Sequence, residues 1–387
     1  MIDWNQTEID LFWPLRIHAG SKALESLPHE MERLGVRAPL LVAETREQAR
    51  RTVSAFRGWD AVLTVADPID PDADLQAAAA LAGRYRNHQC DGWVAVGSGR
   101  WIDQVRCANL MVSGGLETPE AVSAIKTCDF PFRPLAIVPD LRLCGWETSR
   151  FLRHPEFLLN APGLVPAVAI VDERVAVPAG AQELLSASLY ALGIAVEGFV
   201  SRYGNPLVQA YAAAVIHLIA HNLLTCVHRP RTVSAREAVA VACVLSGSVL
   251  SDTGPGSVLR MGEAVAAGIG PGPGIASGIL LPHFVSLLAL REEPAAGDLL
   301  EPLAGVEKYA STSFYLRGAV AANLLFAMHY DLHHAAVEAL PLTLQESGLN
   351  REDLPQIVEA AADSEPAREI CRAVLEHAWS GHPIVAM

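Results

Sequence analysis

The chain has 387 residues, of which 51% are hydrophobic and 19% are charged, and this composition excludes a disordered chain. Its length favours two domains with large buried cores. The formal net charge of −14 argues against nucleic-acid binding, because that function requires clustered Lys and Arg against phosphates. The seven cysteines are scattered without a CxxC pair, so neither a disulfide framework nor a zinc ribbon is expected.

The amino-terminal run MIDWNQTEIDLFWPLR contains acidic residues and no apolar stretch flanked by basic residues. It is therefore not a signal peptide, and we expect a cytoplasmic protein. The apolar stretch Leu207–Val227 approaches membrane length, but it contains the polar residues Gln209, His217, His221 and Asn222. We expect a buried helix there and no membrane span.

Short apolar strands alternate with helical segments in the first half of the chain. Strands are predicted at 38–43, 61–65, 92–96, 135–138 and 168–171, and helices at 46–56 and 75–86. This alternation is typical of a parallel α/β sheet, whose ligands lie beyond the carboxyl ends of the strands.

The second half of the chain is predicted to be helical. Long runs rich in Ala and Leu at helical spacing fill 182–201, 207–227, 235–250 and 316–329, and a Gly/Pro-rich patch at 268–278 interrupts them. Strand patterns nearly vanish after Pro178. The sequence therefore predicts an α/β domain over 1–177 and an all-helical domain over 178–387.

A glycine turn, Gly97-Ser98-Gly99, follows the third predicted strand and precedes a helix predicted from about Gln104. Such a turn binds anions through its backbone N–H groups and the helix dipole, and glycine lets a pyrophosphate approach the backbone. Glu44 follows the first predicted strand, where an acid in a dinucleotide-binding fold contacts the ribose hydroxyls. A tight turn without a ligand and a solvated acid near a helix start explain the same residues equally well.

Two further runs resemble the metal-binding helices of the iron-containing (group III) alcohol dehydrogenase family. They are SASLYALGIAVEGFVS (186–201) and SVLRMGEAVAAGIGPGPGIASGILLPH (257–283). In that family the first run carries an Asp and, four residues later, a His, and the second run carries two more His. The corresponding positions here are Tyr190, Ile194, Leu259 and Pro273. Because metal ligation needs imidazole, thiolate or carboxylate donors, we expect no metal in this protein.

The resemblance extends from Pro14 to Trp379. The glycine turn is similar to the family's GGGSxxD, ending at Asp103, with Ser98 and Arg100 as departures. Arg100 could grip a phosphate or fill the dinucleotide site. The segment PDLRLCGWETS (139–149) resembles the family's PTTAGTGSE. The Thr pair that helps to hold the cofactor in that family is replaced by Asp140 and Leu141.

The resemblance implies a dehydroquinate-synthase-like fold, in which a Rossmann-like domain and a helical domain enclose an active-site cleft. It also implies a homodimer, and NAD or NADP as cofactor. The implied cofactor-binding residues are Glu44, Gly97, Ser98, Gly99, Arg100 and Asp103. Candidate substrate contacts are Arg142, Trp146, Glu147, Arg150 and Arg260, and candidate catalytic residues are Tyr190, Glu263 and His283.

Two of the three catalytic candidates also have an ordinary structural interpretation. Tyr190 and Ile194 share one helix face and would serve as core packing. Glu263 would form an exposed ion pair with Arg260, one turn earlier.

Three functions are compatible with these residues, in the following order. The first is a metal-independent, NAD(P)-linked oxidoreductase on a small alcohol, aldehyde or ketone, in which Tyr190, Glu263 or His283 polarises the substrate oxygen. The second is a repurposed lyase, isomerase or cyclase that acts without NAD on an anionic metabolite held by Arg100, Arg142, Arg150 and Arg260. The third is a non-catalytic homologue whose cleft is filled by Trp146, Tyr190 and Arg100.

Overall fold

The computed structural model of the chain describes residues 13–66, 74–154, 157–175, 180–201, 205–268, 272–336 and 338–382. These residues divide into two compact units, an α/β unit over 13–175 and a helical unit over 180–382. The predicted domain boundary between 177 and 178 lies outside the described residues.

The α/β unit is built on a parallel sheet. Its strands in chain order are β1 (Arg16–Ala19), β2 (Pro39–Ala43), β3 (Thr64–Val65), β4 (Gly92–Gly97), β5 (Leu135–Pro139), β6 (Phe151–His154), β7 (Phe157–Asn160) and β8 (Val168–Val171). Six of them pair in parallel in the order β1-β8-β5-β4-β2-β3, and β6 and β7 form a separate antiparallel hairpin. Every residue of β2, β4, β5 and β8 is buried, which explains their continuous apolar runs.

The helices of this unit are α1 (Leu27–Arg33), α2 (Arg46–Ala55), α3 (Asp74–Asn87), α4 (Gly99–Ser113) and α5 (Pro119–Ser123). Thr45 and Gln48 form a capping box that starts α2. Helix α4 begins at Gly99, five residues before the predicted Gln104, because extended Ser98 forms its N-cap directly after β4. The turn between strand and helix is therefore very short.

Arg106 on α4 fixes the segment that follows β5. This side chain is 1% exposed. It donates hydrogen bonds to the carbonyl oxygens of Trp146, Ser149, Phe151 and Leu164 at 2.7 to 3.2 Å. Buried backbone carbonyls require such partners, so one guanidinium orders the whole segment beside α4.

The helical unit contains, in the described residues, α6 (Ala181–Val200), α7 (Pro206–His228), α8 (Val233–Thr253), α9 (Ser257–Gly268), α10 (Pro273–Leu290), α11 (Pro294–Asp298), α12 (Leu300–Ala304), α13 (Val306–Ser311), α14 (Arg317–Ala335), α15 (Leu354–Ala361) and α16 (Glu365–Ser380). The predicted break at 268–278 is too long, because α10 already begins at Pro273. Gly274 lies within this helix, where α6 approaches so closely that no side chain fits. A Cβ at this position would lie 1.8 Å from the Ser186 carbonyl oxygen. The remainder of the break, 269–271, lies outside the described residues.

Four helices of this unit, α6, α7, α8 and α10, are long and apolar enough to cross a membrane by length and composition alone. In α6, α8 and α10, most of the apolar window is buried inside the unit, whereas only 33% of the α7 window is buried. The predicted fold class, a parallel α/β region followed by an all-helical region, is confirmed.

Candidate functional site

Tyr190 and Glu263 meet in the helical unit. Tyr190 lies on α6 and is 2% exposed. Its phenolic hydroxyl donates a hydrogen bond of 2.5 Å to Oε1 of Glu263 on α9, and Glu263 is partly exposed. The helices approach closely at Gly193, where a Cβ would lie 3.3 Å from Leu259. A buried phenol joined to a carboxylate that reaches solvent can pass a proton between the interior and water.

Glu197, about two turns after Tyr190 on α6, fixes α9 against α6. Its carboxylate accepts hydrogen bonds from the backbone N–H groups of Val258 at 2.7 Å and Leu259 at 3.3 Å, at the start of α9. Burial raises the pKa of Glu197 to about 7, although these hydrogen bonds act to lower it. The sequence analysis did not select Glu197 as a site residue. The only signal was its place in the run 186–201.

His283 lies on α10 and is 2% exposed, edge-on to Phe326 with ring centroids 4.9 Å apart. Burial lowers the pKa of His283 to about 3, and its Nδ1 atom has no hydrogen-bond partner among the described residues. Arg260 is directed elsewhere, because its guanidinium pairs with Asp363 at 3.1 Å. The structure thus joins Glu263 to Tyr190 and Arg260 to Asp363, rather than Glu263 to Arg260.

The four positions that match the family's metal ligands do not fit a divalent ion. Tyr190, Ile194 and Leu259 are buried, and Pro273 begins α10. Three of these four side chains have no donor atom at all. Within the described ranges, no group of three or more His, Cys, Asp or Glu side chains is placed to hold a metal.

The glycine turn lies at the carboxyl end of β4 in the α/β unit. Gly97 has φ +142°, which a residue with a side chain rarely adopts, and Gly99 begins the 15-residue helix α4. The helix N-terminus attracts anions, and the sheet places it beyond the strand ends. A turn of this kind can bind an anion through its free backbone N–H groups.

Glu44 lies against this turn, beyond the end of β2. Its Oε2 atom accepts the N–H of Ser98 at 2.8 Å, and a Cβ on Gly97 would lie 2.7 Å from the same oxygen. Arg142 contacts both Glu44 oxygens through Nη1 and Nη2 at 3.0 and 2.8 Å. The same guanidinium pairs with Asp140. Burial raises the pKa of Asp140, although Arg142 acts to lower it.

Glu147 lies on the other side of the turn and is buried. Its Oε2 atom accepts the N–H groups of Cys144 at 3.2 Å and Gly145 at 3.1 Å. A Cβ on Gly99 would lie 1.8 Å from Glu147 Oε1, so a larger residue there would require the Glu147 carboxylate to move. Burial raises the pKa of Glu147, and so does the nearby charge of Asp103, which pairs with Arg106 at 2.7 Å.

The remaining candidates are more dispersed. Trp146 is buried beneath the Arg153 guanidinium, whose Cζ lies 4.8 Å from the ring centroid. Arg150 donates to Oδ1 of Asn160 on β7 at 2.5 Å, and Arg100 is an exposed residue in the first turn of α4. The structure thus brings Glu44, Gly97, Ser98 and Gly99 together around the turn, along with Arg142 and Glu147, which had been selected as substrate contacts.

Comparisons with known proteins agree with this fold, and two family profiles match the chain in the order of its two units. The family profile described as "Iron-containing alcohol dehydrogenase" matches residues 14–173, and the profile "Fe-containing alcohol dehydrogenase family, C-terminal" matches residues 185–373. The chain belongs to the iron-containing alcohol dehydrogenase family.

Individual relatives are distant in sequence but similar over nearly the full length. 1,3-Propanediol dehydrogenase of Klebsiella pneumoniae is 24% identical over 88% of this chain and 89% of that protein. A crystal structure of 1,3-propanediol oxidoreductase superposes with a TM-score of 0.82 at 22% identity, covering 96% of this chain and 100% of that one. The structure of sulfoacetaldehyde reductase from Bifidobacterium kashiwanohense in complex with NAD+ gives 0.80 at 18% identity, covering 97% and 99%. The relatives support a dehydrogenase-like oxidoreductase.

Proposed function

We propose that this protein is an NAD(P)-linked oxidoreductase that interconverts a small alcohol with its aldehyde or ketone without a metal ion. The observation that carries this proposal is the 2.5 Å hydrogen bond between Tyr190 and Glu263. It supplies a proton donor and acceptor where the family's metal would polarise the substrate oxygen. The side chains at the four matching positions do not offer that alternative.

The two residues act as a relay. In the oxidation direction the substrate hydroxyl gives its proton to the Tyr190 oxygen as Tyr190 passes its own proton to Glu263. Glu263 is partly exposed and returns that proton to water. In the reduction direction the same protons move in reverse, so that Tyr190 protonates the developing alkoxide. A bound NAD(P) supplies the hydride acceptor or donor, and the turn Gly97–Gly99 with the N-terminus of α4 would hold its pyrophosphate.

The alternative of a non-redox enzyme on an anionic metabolite relied on a set of arginines. Arg142 is engaged by Glu44 and Asp140, and Arg260 by Asp363. Arg150 is held by Asn160. Since these contacts engage three of the four arginines that would bind the anion, all but the exposed Arg100, the oxidoreductase is the better supported function.

The proposal extends to the substrate, the cellular location and the oligomeric state of the protein. By analogy with relatives named for 1,3-propanediol and sulfoacetaldehyde, we propose a short-chain alcohol or aldehyde as substrate. We further propose a cytoplasmic homodimer that binds neither nucleic acid nor membranes.

The test is an assay of chelator-treated protein with NADH and NADPH and a panel of short aldehydes and ketones, with Tyr190→Phe as the variant. Tyr315→Phe removes an equivalent hydroxyl from a side chain that is 89% exposed, and it serves as the control. We expect turnover by the treated wild type and by the control, and a loss of about 100-fold or more in Tyr190→Phe. Activity that requires added metal, or that survives in Tyr190→Phe, would show that the proposal is wrong.

A further inference from the structure

The contact between Glu44 and the Ser98 amide is unexpected for a dinucleotide site. In such a fold, an acid at the end of this strand contacts the ribose, while the turn amides remain available to the pyrophosphate. Here the Glu44 carboxylate accepts the Ser98 N–H at 2.8 Å and lies directly over Gly97. The amide that should receive a phosphate oxygen already has a negatively charged partner.

Arg142 holds Glu44 in this position. Its guanidinium contacts both Glu44 oxygens at 3.0 and 2.8 Å, and it is itself fixed by Asp140, whose side chain is only 1% exposed. Such a bidentate pair restricts the carboxylate in both position and orientation. The Arg142 and Glu44 side chains are each 19% exposed, so the pair is largely shielded from solvent.

The local charge opposes phosphate as well. Glu44 and Asp140 carry two negative charges against the single positive charge of Arg142. These three side chains therefore carry a net negative charge, although Arg100 adds a positive charge in the first turn of α4, and the Ser98 amide must exchange one anion for another. Phosphate binding that replaces an existing hydrogen bond to a carboxylate contributes less binding energy than phosphate binding to an unoccupied N–H.

We propose that Glu44 is an internal anion that occupies the phosphate position of the turn, and that Arg142 is the positioning residue that keeps it there. The inference rests on the proposed use of a dinucleotide. Glu44 then competes with the cofactor instead of binding its ribose. The two roles predict opposite effects when the carboxylate is removed.

The experiment compares the dissociation constants of NADH and ADP for the wild type, Glu44→Ala and Glu44→Gln. ADP probes the turn without any redox chemistry. Glu44→Ala leaves Arg142 paired with Asp140 and exposes both the Ser98 N–H and part of the guanidinium to phosphate. We expect about tenfold tighter binding of both ligands to Glu44→Ala. Glu44→Gln keeps an acceptor for Ser98 but loses the charge, so its gain should be smaller.

Glu47→Ala is the matched control. It removes the same charge from the exposed first turn of α2, where Glu47 pairs with Arg50 and Arg51. Its dissociation constants for NADH and ADP should equal those of the wild type. If Glu47→Ala gained as much affinity as Glu44→Ala, the effect would come from net charge alone, and the inference would be wrong. Circular dichroism and thermal unfolding establish that each variant is folded.

Unchanged or weaker binding of NADH and ADP by folded Glu44→Ala would overturn the inference. Glu44 would then be assigned the ordinary role of contacting the cofactor ribose. Wild-type turnover with NADH or NADPH would then leave the proposed function intact. Conversely, tighter ADP binding by Glu44→Ala without turnover in any variant would support the internal anion and refute the oxidoreductase. The two failures are therefore distinguishable.

Discussion

Tyr190 on α6 and Glu263 on α9 are joined by a hydrogen bond of 2.5 Å although 73 residues separate them in the chain. By resemblance, Tyr190 corresponds to the Asp ligand of the family. In the proposed function, the contact with Glu263 makes Tyr190 a proton donor with its own acceptor. Family membership fixes the helices that carry both residues, while the side chains decide the chemistry.

The relay predicts that Tyr190 and Glu263 act as a unit. We expect Tyr190→Phe and Glu263→Gln each to lower kcat/KM by about 10² to 10³. The double variant should be no worse than the poorer single variant, because either change interrupts the same proton path. Steady-state kinetics of the wild type, the two single variants and the double variant completes this double-mutant cycle. Additive losses would mean that the residues act independently and that the relay is wrong.

The second prediction concerns His283. Its pKa is lowered to about 3 by burial, whereas the unfolded chain binds a proton near pH 6.5. The folded state therefore loses stability as the pH falls from 6.5 towards 3, by about 1.4 kcal/mol per pH unit from this group. Replacement by Leu should make the free energy of unfolding less sensitive to acid in this window.

Urea unfolding at pH 7, 6 and 5 measures this slope for wild type and His283→Leu. The exposed His228, in the last turn of α7, provides the control His228→Leu, which should keep the wild-type slope. An identical slope in His283→Leu would show that the folded protein accommodates the protonated imidazole.

The third prediction concerns Arg106, whose guanidinium is buried among backbone carbonyls and Asp103. Arg106→Met should lower the free energy of unfolding by about 3–5 kcal/mol, because it leaves four buried carbonyls and the partly buried Asp103 carboxylate without their partner. Thermal unfolding measures the loss. The control Arg46→Met changes an exposed residue at the start of α2 and should be nearly neutral. A loss below 1 kcal/mol in Arg106→Met would contradict this account.

Strands buried on both faces were predicted closely from the sequence. Of the strands with exposed faces, only the two-residue β3 was predicted, within the longer run 61–65. Strands β2, β4, β5 and β8 are continuous apolar runs, and each was predicted to within a residue. Strand β1 has exposed ends and a half-buried middle, so no apolar pattern marks it. The hairpin of β6 and β7 was missed for the same reason.

The site shows the same limit at the level of contacts. Resemblance selected Tyr190, Glu263 and Glu44 one at a time, from their places in short motifs. Their partners are set by tertiary packing. Tyr190 and Glu263 are 73 residues apart in the chain, and Glu44 and Arg142 are 98 residues apart. Arg142 was selected as an anion contact, and the structure shows its guanidinium bound to two carboxylates. Charge and motif position alone do not determine which partner a side chain finds.

The last prediction concerns Glu197, which connects α6 to the start of α9. Its pKa is raised to about 7 in the folded protein, above the ordinary value of 4.5, chiefly by burial. A carboxyl group with a raised pKa favours folding in its protonated form. Its contribution is therefore fully present below pH 4.5 and is lost as the pH rises to 7. Glu197→Gln keeps one acceptor oxygen, enough for the shorter bond from the Val258 N–H, and it cannot ionise.

We therefore expect Glu197→Gln to be more stable than the wild type at pH 8, by about 1–3 kcal/mol, and similar to it at pH 4.5. Glu197→Ala should instead lose about 1 kcal/mol at low pH, since the first N–H groups of α9 lose their acceptor. Glu307→Gln, on exposed α13, is the control and should follow the wild type at every pH. Chemical unfolding from pH 4.5 to 8 distinguishes the variants. A Glu197→Gln protein that is less stable at pH 8 would show that the ionised carboxylate, as a charged cap on α9, outweighs its burial.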